Sequence, residues 1–156
     1  MIVRFTMKTD EELRAAGVGF ARQENAVRRG LEPRHRASSL WGGHIESACA
    51  ELAVALVTGR PWSGENVLGL PPFDGGADVG ERTEVRWVAP SGDLHLNIDA
   101  RRDHGERLYV LVSGFAPTYE IHGYLLGRDA ARPEWLTRYP ERDVYRVPAR
   151  ALRAIA

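Results

Sequence analysis

Cysteine and lysine are both nearly absent from this sequence, which has one of each, Cys49 and Lys8, in 156 residues. A single cysteine excludes an intrachain disulfide. Cys49 lies in the apolar run IESACAELAVAL, which predicts a small buried side chain rather than a catalytic thiol. All the other basic residues are arginine, and we attribute this bias to a GC-rich genome.

Long hydrophobic runs and net charge are missing as well. No apolar run approaches the ~20 residues that span a bilayer, and the N-terminal MIVRFTMKTDEELR lacks the unbroken apolar core of a signal peptide. We therefore expect a cytoplasmic protein that does not enter a membrane. The formal net charge of zero argues against a chain that coats nucleic acid non-specifically, because such binding depends on many cations. It leaves room for a local basic groove.

Composition and the spacing of apolar residues predict one α/β (α+β) domain over residues 1–156. The chain is 44% hydrophobic and 27% charged, as in ordinary globular proteins, and its length suits one core. Residues 10–29 and 43–58 have the spacing of helices. Four later segments alternate like the strands of a mainly antiparallel meander, namely TEVRWVA, DLHLNID, RLYVLVSG and YEIHGYLLG. The tail predicts a short helix near 133–138, a strand near 144–147 and a last helix begun by Pro148.

A carboxylate and a cation lie close together in the first of these strands. Residues two apart in a strand point to the same face, so Glu84 and Arg86 project together, away from Val85 and Trp87. Asp78 precedes them in GGADVGE, where glycines let the backbone bend and bring Asp78 near the start of the strand. Taken singly, the pair is more typical of an exposed edge-strand face, and Asp78 of a simple turn residue.

A third carboxylate, Glu51, lies in the middle of the most apolar helix. Buried carboxylates are rarely left unpaired, so Glu51 either forms a salt bridge, to Arg22 or Arg86, or faces a polar cavity. Glu46 is a weaker candidate because it lies about 140° around the helix from Glu51. A cavity shared with Asp78 and Glu84 would need a divalent cation to relieve the repulsion, and hard oxygen ligands suit Mg²⁺ or Mn²⁺.

The order of these residues resembles the PD-(D/E)XK, or restriction-endonuclease-like, nuclease superfamily. The matching positions are Glu51 in AELAVAL, Asp78 in ADVG, and Glu84 with Arg86 in EVR. From about Leu40 onward the chain also resembles small uncharacterised phage and bacterial members, through GRDAARPEWL and VPARAL. The resemblance implies a central mixed, mainly antiparallel sheet flanked by helices. It also implies a Mg²⁺-dependent or Mn²⁺-dependent endonuclease or exonuclease that hydrolyses DNA phosphodiesters, with Glu51, Asp78 and Glu84 holding the metal and Arg86 assisting catalysis.

One position departs from the superfamily, which usually has lysine where this chain has Arg86. Arginine stays charged and cannot act as a base, so catalysis would depend on the metal. The alternative is a catalytically inactive nuclease-like domain, in which Arg86 neutralises the carboxylates and the fold serves binding or assembly. A domain of this size is expected to need a second copy or a protein partner to choose its target. The candidate nucleic-acid contacts are Arg28, Arg29, Arg34, Arg36 and His44.

Overall fold

The structure is a computed structural model that describes residues 1–28, 30, 42–64, 76–101 and 105–155. Two long helices precede most of the strands, as the apolar spacing predicts. The elements, in chain order, are β1 (Val3–Thr6), α1 (Thr9–Arg28), α2 (Gly42–Thr58), β2 (Thr83–Val88), β3 (His95–Asp99), β4 (Leu108–Phe115), β5 (Thr118–Leu126), α3 (Gly127–Ala130), a 3-10 turn (Pro133–Trp135), β6 (Leu136–Arg138), β7 (Asp143–Pro148) and a second 3-10 turn (Ala149–Ala151).

The two long helices pack directly on each other. Helix α1 has acidic residues in its first turn and Arg28 in its last, which suits the helix dipole. Helix α2 is buried from Ala48 to Ala55, as expected of a helix that is apolar nearly all round. The two come close at Gly19, where a Cβ atom would lie 2.5 Å from the Cα atom of Ile45. No helix in the described ranges is long and apolar enough to cross a membrane.

The strands form two sheets rather than one meander, which corrects the predicted pairing. The first sheet has the order β1-β5-β4-β2, and the second has the order β3-β7-β6. Strands β2 and β4 are parallel, whereas the remaining pairs are antiparallel. Parallel neighbours need a crossover connection, and β3 lies in that crossover, where it pairs with β7. The architecture is thus α+β, with mainly antiparallel sheets and flanking helices.

Two apolar cores lie on opposite faces of the first sheet. On one face Val85, Val110 and Ile121 pack under the two helices. On the other face Tyr109 and Leu111 pack against the second sheet. Successive residues of a strand point to opposite faces. The side chains of β2 therefore alternate between the core under the helices and the core against the second sheet.

The ends of the chain differ from the prediction. Strand β1 was not predicted, because four residues, VRFT, give too short an alternation; it adds to the sheet edge by pairing Val3 with Ile121. The predicted helix at 133–138 is a 3-10 turn followed by β6. The predicted helix after Pro148 is also a single 3-10 turn. It stops there because the backbone of Arg153 exchanges two hydrogen bonds with Tyr124, which fixes the tail against β5.

Candidate functional site

Strand β2 lies at the edge of the first sheet and carries two of the predicted site residues on one face. Val85 packs into the helix-side core and Val88 into the opposite core, which confirms the predicted alternation. The guanidinium carbon of Arg86 lies 5.5 Å from the centre of the Tyr109 ring. Glu84 is buried and Arg86 half-buried, so an exposed charged face is excluded.

Asp78 lies beside β2 because the intervening chain turns back on itself. Gly80 has a φ of +59°, a conformation that glycine adopts readily, and Val79 forms an isolated antiparallel bridge with Thr83. The Asp78 carboxylate then accepts a hydrogen bond from the backbone N–H of Val85, with Oδ2 at 2.8 Å from the nitrogen. Asp78 is therefore held by the free edge of the strand that carries Glu84.

Glu51 forms the buried salt bridge that was the main alternative to a metal ligand. Arg22 donates from Nη1 to Oε1 at 2.6 Å and from Nη2 to Oε2 at 2.8 Å. The indole N–H of Trp62 also donates to Oε2 at 3.1 Å, and Arg14 lies over the Trp62 ring. Glu46, on the other side of the helix, accepts the Tyr119 hydroxyl at 2.6 Å, so it does not belong to this site.

Asp78 interacts electrostatically with both Glu51 and Glu84, and these three carboxylates are here called the acidic cluster. Burial, together with the charges of Glu51 and Glu84, raises the pKa of Asp78 to about 7. The Val85 N–H and the Arg86 charge act in the opposite direction. Asp78 is therefore the member of the acidic cluster whose pKa responds to both of the others.

Three arginines balance the charge of the acidic cluster. Glu84 pairs through Oε1 with Arg107 and through Oε2 with Arg86, at 3.1 Å. Arg86 also lies 4.0 Å from Oδ2 of Asp78. With Arg22 on Glu51, three guanidinium groups face three carboxylates. Arg107 was not predicted from the sequence, because only the parallel register of β2 with β4, which matches Thr83 to Leu108, brings Arg107 beside Glu84.

The donor set of the acidic cluster fits a hard divalent cation in its chemistry. Carboxylate oxygens are the ligands that Mg²⁺ and Mn²⁺ prefer. Oδ1 of Asp78 accepts no hydrogen bond from any described residue. Within the described ranges, however, no three His, Cys, Asp or Glu side chains already stand at coordinating distance. Glu84 can join a metal only if Arg86 and Arg107 release its oxygens.

The predicted nucleic-acid contacts are only partly described. Arg28 is exposed at the end of α1 and pairs with Glu24, with Nη2 at 2.6 Å from Oε1. His44 lies near Arg22, and burial together with the Arg22 charge lowers the pKa of its imidazole. Arg29, Arg34 and Arg36 lie outside the described residues. His44 is therefore the one predicted contact that the structure brings near an arginine of the site.

Comparison of the chain with protein-family models, curated proteins and solved structures yields no match. A functional assignment must therefore be argued from the geometry of the chain itself.

Proposed function

We propose that the acidic cluster is the divalent-cation site of a restriction-endonuclease-like domain that hydrolyses phosphodiester bonds of DNA. The observation that carries the proposal is that Asp78, in the turn beside the edge of β2, interacts electrostatically with Glu51 on α2 and with Glu84 on β2. Burying several carboxylates close together costs free energy. A divalent cation bound by all three would offset that cost.

The fold supports the proposal through the elements that carry these residues. The superfamily is expected to present a helix Glu, a loop Asp and a strand Glu in this order, and α2, the turn before β2, and β2 supply them. The parallel pairing of β2 with β4 and the two helices on one face are compatible with the mixed sheet that the resemblance implies.

Each side chain has a definite task under this proposal. Asp78 offers Oδ1 as an open ligand while the Val85 N–H fixes its other oxygen. Glu84 and Glu51 complete the ligand set once their arginines move. A bound Mg²⁺ supplies Lewis acidity, lowering the pKa of water and stabilising the charge on a phosphate under attack. Arg86 remains cationic and can donate to a phosphate oxygen, but it cannot accept a proton.

A second candidate function is favoured by the arginines. Both oxygens of Glu51 accept Arg22 donors, and both oxygens of Glu84 are paired with Arg86 or Arg107. Such a self-neutralised cluster suits a catalytically inactive nuclease-like domain used for binding or assembly. In that case the ion pairs fix the conformation of the β2 edge and do not open to a metal.

The deciding experiment compares Asp78→Asn with wild type. Asparagine keeps a side-chain oxygen that can accept the Val85 N–H, so the fold is retained while the ligand charge is lost. Calorimetric titration of Mn²⁺ is followed by incubation with plasmid and single-stranded DNA. Glu81→Gln is the control, because Glu81 is an exposed carboxylate in the same turn. We expect wild type and Glu81→Gln to bind Mn²⁺ and cut DNA, and Asp78→Asn to do neither.

Two outcomes separate the candidates further. Cutting by Asp78→Asn would exclude the acidic cluster as the catalytic site. If wild type binds no Mn²⁺, Arg86→Lys is the next variant to test, because it restores the residue usual in the superfamily and loosens the contact with Glu84. A lysine variant that gains metal binding indicates a cluster closed by arginine, whereas one that only loses thermal stability supports the inactive domain.

A further inference from the structure

A cavity of about 470 Å³ lies on the side of β2 opposite the Glu84 side chain. It lies beside the last turn of α2, which ends at Thr58. The tail closes its far side, because the Tyr124 backbone is bonded to that of Arg153. A Cβ atom at Gly123 would lie 2.4 Å from the Arg153 carbonyl oxygen, so glycine is needed for this approach. The lining is Val54, Val57, Thr58, Arg60, Arg82, Thr83, Glu106, Leu108, Val110, Tyr124, Leu126, Arg153 and Ile155.

This cavity is lined by both apolar and polar groups. Valine and leucine side chains from α2, β4 and β5, with Ile155 from the tail, form the apolar part, and the charged residues of the lining are Arg60, Arg82, Glu106 and Arg153. A volume of this size falls in the range of about 300–1,000 Å³ that small-molecule sites occupy. Such sites combine apolar walls with polar groups that fix the orientation of the ligand, and this lining offers both. The cavity therefore has the size and lining of a site for a small organic molecule.

In the part of the chain that the structure describes, the cavity is lined by more positive than negative side chains, and only some of these side chains form ion pairs. Glu106 is paired with Arg128, and Arg153 with Asp129 at 3.1 Å. Arg60 and Arg82 are exposed, and no carboxylate of the described residues lies within ion-pair distance of either. Among the described residues, the side-chain hydrogen bond of Arg60 is a long one, 3.4 Å from Nη1 to the Thr83 hydroxyl. The described part of the cavity thus carries two arginines without a carboxylate partner, in a chain whose net charge is zero.

We infer that this cavity binds a small amphipathic anion, with an apolar body between α2 and the sheet and one anionic head at Arg60 and Arg82. Guanidinium groups pair with carboxylate and phosphate alike, so the head is either of these. The site is independent of the acidic cluster, because consecutive residues of β2 point to opposite faces and Thr83 lines the cavity while Glu84 joins the cluster. Its test does not depend on nuclease activity.

The probes are decanoate, decyl phosphate, decanol and inorganic phosphate, each titrated calorimetrically into the full chain. We expect both decyl anions to bind more tightly than decanol, and inorganic phosphate to bind most weakly. Whichever decyl anion binds more tightly identifies the preferred head. Equal affinity for decanoate, decyl phosphate and decanol would overturn the role of the arginines. Equal affinity for decyl phosphate and inorganic phosphate would overturn the role of the apolar walls, and no binding of either decyl anion would overturn the inference.

Variants locate the bound molecule. Arg60→Gln and Arg82→Gln should each lower the affinity for the preferred decyl anion about fivefold, as expected for one exposed charge contact, and leave decanol binding unchanged. Arg4→Gln, an exposed arginine on β1, is the matched control. Val57→Trp should fill the cavity and reduce binding of every decyl probe; if that variant does not fold, the ratio of anion to decanol affinity in the arginine variants still decides. An unchanged ratio in the double variant Arg60→Gln/Arg82→Gln contradicts the inference.

Discussion

Arg22 and Glu51 form a two-pronged, nearly buried ion pair that joins α1 to α2. The two nitrogen–oxygen distances are 2.6 and 2.8 Å, and the side chains are 10% and 6% exposed. The Nε atom of Arg22 is buried and has no hydrogen-bond partner among the described residues. This pair connects the helix interface to the acidic cluster, because Arg22 also interacts with Asp78.

Removal of Arg22 should therefore be far more damaging than removal of an exposed arginine from the same helix. Arg22→Ala leaves Glu51 buried without its partner, which costs about 3–5 kcal/mol in the free energy of unfolding. Arg28→Ala breaks the exposed pair with Glu24, which is worth at most about 1 kcal/mol. Urea unfolding followed by far-UV circular dichroism measures both. Equal losses in the two variants would mean that the Arg22 pair does not hold the helices together.

The raised pKa of Asp78 predicts a pH dependence of stability with a definite sign. The folded state binds the Asp78 proton more tightly than the unfolded state, whose pKa is near 3.8. The contribution of this group is therefore fully present below about pH 4 and is lost as pH rises through about 7. A shift of this size corresponds to at most about 4 kcal/mol.

Thermal melts of wild type and Asp78→Asn between pH 4 and pH 8, with EDTA present, test this dependence. Asparagine cannot ionise, so the variant should gain stability relative to wild type as pH rises. Glu81→Gln removes an exposed carboxylate from the same turn and should follow wild type. A difference between wild type and Asp78→Asn that is the same at every pH would refute the raised pKa.

Gly17 and Gly19 in α1 offer a matched pair with opposite expectations. A Cβ atom at Gly17 would meet nothing within 4 Å, whereas one at Gly19 would lie 2.5 Å from Ile45 Cα. Gly17→Ala should stabilise the protein by about 0.5–1 kcal/mol, because alanine is the better helix former. Gly19→Ala should destabilise it by about 1–3 kcal/mol, because α2 must move away. Urea midpoints that shift in the same direction would contradict the close helix contact.

Much of the local structure could be predicted from the sequence because it depends on neighbouring residues. The period of two in TEVRWVA predicts which side chains share a face with Glu84, and the apolar run around Glu51 predicts a buried helix. The Arg22 salt bridge was foreseen as an alternative, because a buried carboxylate needs a partner. Each of these features depends only on spacing within one element and on the cost of burying charge.

Contacts between distant elements could not be predicted in the same way. Arg107 reaches Glu84 only because β2 and β4 pair in parallel. That pairing requires β3, which lies between them in sequence, to pair with β7 in the second sheet. The alternating pattern of a strand specifies a buried face but not a neighbour. Whether the acidic cluster can bind a metal likewise depends on the strength of its ion pairs with arginine, which residue spacing does not predict.

The hydrogen bond from Val85 to Asp78 has a consequence for the solubility of the chain. An edge strand with free backbone donors is a template on which strands of other molecules can add. Here a side chain of the same chain already occupies one such donor, and a charged arginine lies beside it. The Asp78 carboxylate thus also blocks part of the β2 edge and disfavours the addition of a strand from a second molecule.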